Sequence, residues 1–239
     1  MKANQSGNVL FYILIAVALL AALSFATTQG TRGSGGQISK EQARLHAVEM
    51  IGYGNMLAQA VSQLRLRGYS DTEISFENGI VSGYTNPNCT DDDCKVFHPD
   101  GGGINFTSPD EGMMDSRFSA LLGYGYNQFV GRACTDNTSC QSDGIDNEDL
   151  IFFVPYINRE ICLQINDILG VNNPSDDAPT DVGCSGSGSG YKFAGSYVAT
   201  LSVKDSAGDL NKSVGCFKHG VGCIPSPDSY HYYQVLISR

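Results

Sequence analysis

Positive charge is the first thing this sequence lacks. Lysine and arginine number 15 against 25 aspartates and glutamates, for a net charge of −10 over 239 residues. A nucleic-acid-binding surface needs clustered cations to replace phosphate counterions, and no polybasic tract is present, so nucleic acid is excluded as a general partner. The deficit is uneven: residues 1–67 hold six Lys/Arg and two acids, whereas the remainder holds nine and 23. The body is acidic and its stem mildly basic. Catalytic templates are missing too. Gly101 to Gly103 are not followed by the lysine and hydroxyl residue that a phosphate-cradling loop requires. The serine–glycine run at 185–190 does not fit G-x-S-x-G in register. His46, His98, His219 and His231 are scattered, without HExxH or a one-turn spacing. The chain therefore reads as a non-enzyme without a cofactor, calcium being the single candidate ion.

Charge of either sign is absent from Ala3 to Thr31. Within that stretch Val9 to Ala26 reads VLFYILIAVALLAALSFA, 18 residues without proline. As a helix this run rises roughly 27 Å, close to a hydrocarbon core of about 30 Å. Residues 8–28 are thus expected to form a transmembrane helix behind a leader at 1–7, in which Lys2 is the only charged side chain. The short basic end stays in the cytoplasm and the acidic remainder is exported. The expected location is the inner membrane, crossed once, with the body in the periplasm or at the cell surface and the lipid bilayer as a partner. Cysteine is also absent from the stem. Cys89, Cys94, Cys134, Cys140, Cys162, Cys184, Cys216 and Cys223 all lie beyond it, as expected of disulfides in an oxidising compartment. Sequential pairing is preferred among many connectivities: Cys89 with Cys94, Cys134 with Cys140, Cys216 with Cys223, and Cys162 with Cys184.

What is present organises the rest. Residues 29–37 are rich in glycine and small polar side chains and read as a flexible joint. An amphipathic helix is expected over 38–67, capped by Ser39 with Gln42 three residues on and stopped at Gly68. Leu45, Val48, Gly52, Met56, Ala60 and Leu64, joined by Leu57 and Val61, recur at three-to-four spacing and define its apolar face. Gly52 and Gly54 weaken it by about 1 kcal/mol each relative to alanine. Over 68–239, an extracytoplasmic body, β-prone runs alternate with turns: TEISFENGIVSGY, GGGINFTS, DLIFFVPYI, YKFAGSYVATLSV and YHYYQVLISR. Between them PYINREICLQINDILG carries isoleucines at helical spacing, with Pro155 placed to start a helix and Gly170 to end it. The fold class is α+β: an N-terminal transmembrane helix, then an amphipathic helix packed through Leu45, Val48 and Met56 on an antiparallel sheet, stapled by disulfides.

One cluster has metal-ligand chemistry. In SDGIDNEDL, Asp143, Asp146, Asn147, Glu148 and Asp149 gather hard oxygen donors that suit calcium, although the spacing is not that of an EF-hand.

The leader MKANQSG followed by NVLFYILIAVALLAALSFA, then an amphipathic helix and a cysteine-bearing body, resembles the type IV pilins and the pseudopilins of type II secretion. The resemblance implies cleavage after Gly7, a new amino terminus at Asn8, apolar helices packed as a filament core, and other pilin-like subunits or secretion machinery as partners. The protein would then be a structural or assembly component. Two departures point to a minor or pilin-like member: Tyr12 stands where the family usually has a glutamate, and a glycine-rich break falls at 30–36. Two other readings remain, a signal-anchored extracytoplasmic binding domain and a secreted protein cleaved after Ala26, where Ser24-Phe25-Ala26 fits the small-x-small pattern. Mass spectrometry of the mature amino terminus separates the three: Asn8, Met1 or Thr27.

Overall fold

The computed structural model describes residues 12–20, 38–118, 129–133, 149–181, 192–197, 203, 210, 213–223 and 227–239, with backbone alone for 129–133. The chain divides into two units, Met1–Ser39 and Lys40–Arg239.

In the first unit residues 12–20 form helix α1. Among the described residues no helix is long and apolar enough to cross a membrane. The expectation of a transmembrane helix over 8–28 is corrected on that finding, and the single-pass inner-membrane location and the bilayer as partner fall with it. The leader at 1–7 and the joint at 29–37 lie outside the described residues.

The second unit is α+β. Strands β1 (Phe129–Ala133), β2 (Asp149–Ile157), β3 (Thr180–Asp181), β4 (Val214–His219) and β5 (Tyr230–Ile237) form one sheet in the order β1-β2-β5-β4-β3. All pairs are antiparallel except the short β3–β4 pair. Helix α2 spans Lys40–Leu66 and α3 spans Arg159–Leu169. The apolar run DLIFFVPYI makes β2 an interior strand, buried at all nine positions. Register sets the two faces. Val154 and Cys216 both lie opposite Tyr232, and Phe152 and Val214 both lie opposite Gln234, so these residues share one face. The helices dock there: Gln234 Nε2 donates to Asn55 Oδ1 of α2 at 2.9 Å, and Cys162 of α3 is disulfide-bonded to Cys216. On the opposite face the rings of Phe153, Phe217, His231 and Tyr233 pack with centroids 5.3–6.0 Å apart.

Helix α2 presents a different side to the sheet from the one its largest apolar residues suggest. Leu45, Val48 and Met56 are 70%, 54% and 50% exposed, while Ala43, Ala47, Met50, Leu57, Val61 and Leu64 are buried. Apolar residues occupy both sides of this helix, and the side with small residues wins because it admits the closest approach. Gly54 is the tightest point, since a Cβ there would collide with Gln234 Oε1 and meet Tyr232 Oη at 2.8 Å. Gly52 faces open space, with nothing within 4 Å of a Cβ.

Other expectations also shift. Pro155 does not start a helix; it lies in β2, within the register irregularity between Val154 and Ile157 where Tyr156 takes a positive φ of 58°. Helix α3 begins after Asn158, whose side chain accepts from the Glu160 amide, and ends at left-handed Gly170. The runs at 72–84 and 101–108 form no strand, only the isolated bridge Ser75–Lys95. Cys89 is bonded to Cys94 and Cys162 to Cys216, and Cys223 is also disulfide-bonded. The sequential pairs Cys216–Cys223 and Cys162–Cys184 are therefore corrected: α3 folds back over β4 and carries Cys162 to a partner 54 residues away.

The two helix glycines should respond oppositely to the same change. Gly52→Ala should stabilise the protein by about 1 kcal/mol through helix propensity. Gly54→Ala should destabilise it by about 1–3 kcal/mol, because Gln234 is held by Tyr232 and Asn55 and yields only by losing those bonds. Urea denaturation midpoints of the two variants check this, and equal shifts would contradict the docking described.

Candidate functional site

A recess of 780 Å³ opens where the end of α2 meets the following loop and Arg239, and its lining includes Arg65, Leu66, Tyr69, Asp71, Thr72 and Arg239. Gly68, at φ 103°, ends the helix and turns the chain. Glu73 then fixes the loop, its Oε2 accepting from the Ser70 amide at 2.8 Å and from Ser70 Oγ at 2.6 Å. Arg65 meets Asp71 through Nε at 2.9 Å. An arginine engaged through Nε retains two terminal nitrogens that suit a second, planar acceptor. Arg239, just beyond β5, donates its amide to Asp149 Oδ1 at 3.1 Å, and its guanidinium carbon lies 4.0 Å from the Tyr197 ring centroid.

Tyr197 is the anomaly of this region. It is 7% exposed, and its hydroxyl has no hydrogen-bond partner among the described residues. Burial pushes its pKa well above the ordinary tyrosine value, with Asp71 adding to the rise and Arg239 and Arg65 opposing it. The hydroxyl therefore stays protonated, a buried donor within the field of both arginines. An unmet buried hydroxyl costs about 1–3 kcal/mol, and Tyr197 is not among the residues that line the recess.

A second polar cluster lies under β4 and β5. His219 and His231 are 3% and 0% exposed with ring centroids 4.0 Å apart, and both address Ser229 Oγ, through Nδ1 at 3.3 Å and Nε2 at 2.6 Å respectively. Asp181 Oδ2 is 3.9 Å from His219 Nε2, beyond hydrogen-bonding distance. The residue types are those of a nucleophilic triad, but Ser229, His231 and Asp181 are each 0% exposed, so no substrate reaches the hydroxyl. The cluster does structural work, joining His219 of β4 to His231 of β5 through Ser229. His231 Nδ1 has no partner among the described residues, and burial, aided by His219, holds this imidazole well below the usual histidine value.

Of the calcium-ligand candidates, Asp143, Asp146, Asn147 and Glu148 lie outside the described residues, as do Gly7, Asn8, Cys134, Cys140 and Cys184. Asp149 is 6% exposed and is engaged by the Arg239 amide. Among the described residues no group of three or more His, Cys, Asp or Glu side chains is placed to hold a metal ion. Sequence reasoning missed the recess. Tyr197 and Arg239 are remote from Arg65 in the chain and carry no motif.

No protein-family model, curated protein or solved structure matches the chain. The pilin and pseudopilin resemblance is accordingly corrected. Its defining feature, a long apolar N-terminal helix, is not found among the described residues, and pilin-like subunits and secretion machinery lose their basis as partners.

The buried histidine sets a pH dependence. The unfolded chain binds a proton on His231 near pH 6.5, whereas the folded protein does so only at a lower pH, so the unfolded state gains from acidification first. Stability should be flat above about pH 6.5 and fall below it by up to about 1.4 kcal/mol per pH unit. Denaturation midpoints between pH 8 and pH 5 measure the slope, which His231→Phe should reduce.

Proposed function

We propose that this chain is an exported binding protein without chemistry of its own, whose body, 40–239, takes an organic acid in the recess beside Arg65 and Arg239. The observation that supports the reading is the pair Arg65 and Arg239 on the recess wall, with Arg65 meeting Asp71 through Nε. A carboxylate matches this pair: its oxygens accept from a planar guanidinium. Leu66 and Tyr69 on the wall, and a volume of 780 Å³, suit an organic body better than an inorganic ion. Export is supported by the disulfides, which persist in oxidising compartments. The net charge of −10 repels anions at long range, but that field is screened within about 8 Å at physiological salt.

Calorimetric titration with succinate tests the reading, with butane-1,4-diol as the uncharged control. Succinate should bind and the diol should not. Arg65→Gln should weaken binding about 10- to 100-fold, the worth of a charged hydrogen bond. Equal binding of acid and diol, or an unchanged Arg65→Gln variant, would remove the recess as the site.

A further inference from the structure

A second, smaller cavity of 130 Å³ lies between α2 and the 107–113 loop. Phe152 and Val154 of β2 form its floor, Met50 and Tyr53 its helix side, and Pro109 and Met113 its loop side. The loop is fastened at both ends and spans the gap between. At one end the Tyr53 hydroxyl lies 3.4 Å from both Asn105 O and the Thr107 amide. At the other the Asn158 amide donates to Met113 O at 2.8 Å, and Met114 bridges to Ile157. The slot is therefore held open by its frame.

Its chemistry is the reverse of the recess at Arg65. The floor and walls are apolar, the two ionisable carboxyl groups at its lining are Glu49 and Asp110, and no lysine or arginine lines it. Asp110 is fixed, because Oδ1 accepts from the Gly112 amide at 2.8 Å. The Glu49 carboxylate lies 3.6 Å from His46 Nδ1. A dry apolar cavity of about 150 Å³ accommodates a benzene-sized group, so this one takes a short alkyl chain. The anionic lining and the Tyr53 ring favour a positive charge at the end of that chain. We infer that this slot binds an alkylammonium group, either of a free amine or of a lysine side chain. The inference stands independently of the organic-acid reading, since the two sites share no residue.

The test is a heteronuclear NMR titration of the full chain at low salt with n-butylammonium, butyrate and n-butanol, together with a capped Gly-Lys-Gly peptide. Butylammonium should shift the amides of Tyr53 and 107–112 saturably, and butyrate and butanol should bind more weakly. A Glu49→Gln/Asp110→Asn variant keeps the Gly112 cap, because asparagine presents the same oxygen. It should weaken butylammonium about fivefold, the order expected of two exposed charges. Peptide binding as tight as butylammonium assigns the slot to a protein lysine, and binding of butylammonium alone assigns it to a free amine. Butyrate or butanol binding as well as butylammonium, the double variant binding unchanged, or no saturation by either cation would overturn the inference.

Discussion

The body of this protein depends on what happens at Cys216. Its side chain is bonded to Cys162 of α3, and its backbone is held at two points by Asn166, one turn further along the same helix. Asn166 Nδ2 donates to Cys216 O at 2.9 Å, and the Cys216 amide donates to Asn166 Oδ1 at 2.9 Å. These backbone groups point away from β5, on the side where β3 reaches only Lys218 and His219. A side-chain amide thus serves as the missing strand neighbour and satisfies a buried pair of polar groups that β3 is too short to meet. Asn166 is fully buried, and replacing it with a hydrophobic residue of similar size would leave both backbone groups unpaired. The N-terminal end of α3 is anchored by Asp177, which receives Arg159, Lys218 and the Tyr230 hydroxyl within 2.9–3.2 Å. Covalent, neutral and ionic contacts converge on one docking, that of α3 across β4 and β5.

The sequence made the local features readable where chemistry was local. The run at 149–157 is a strand because its apolar residues are continuous, and 230–237 is one because of its aromatic and β-branched content. Gly170 and Gly68 end helices because few other residues tolerate a positive φ. What failed was the choice among competing surfaces. Leu45, Val48 and Met56 form an apolar stripe as regular as the buried one, and nothing in the periodicity says that the sheet will prefer the side with Ala43, Ala47 and Gly54. That preference comes from Tyr232 and Gln234, almost 180 residues away, whose reach leaves no room for a Cβ at position 54. Pro155 misled for a similar reason: its lack of an amide donor suits a helix start and a strand irregularity alike. The recess at Arg65 was invisible because its parts come from two separated segments, and the pairing of Cys162 with Cys216 because proximity in sequence is not proximity in the fold.

The disulfides bear on compartment without reference to the N-terminal segment. In the chain-entropy view, the Cys89–Cys94 bridge closes five residues and is worth about 2 kcal/mol, whereas Cys162–Cys216 closes 54 and is worth about 4 kcal/mol. A domain's net stability is typically about 5–15 kcal/mol. The second bridge alone is therefore a large share of the whole, and it sits at the residue on which the α3 docking converges. Reduction would leave Asn166 and the Asp177 ion cluster to hold the helix by contacts worth about 1 kcal/mol each. The fold as described is consequently one that a reducing environment weakens at its central joint, which is a stronger argument for an oxidising setting than the number of cysteines.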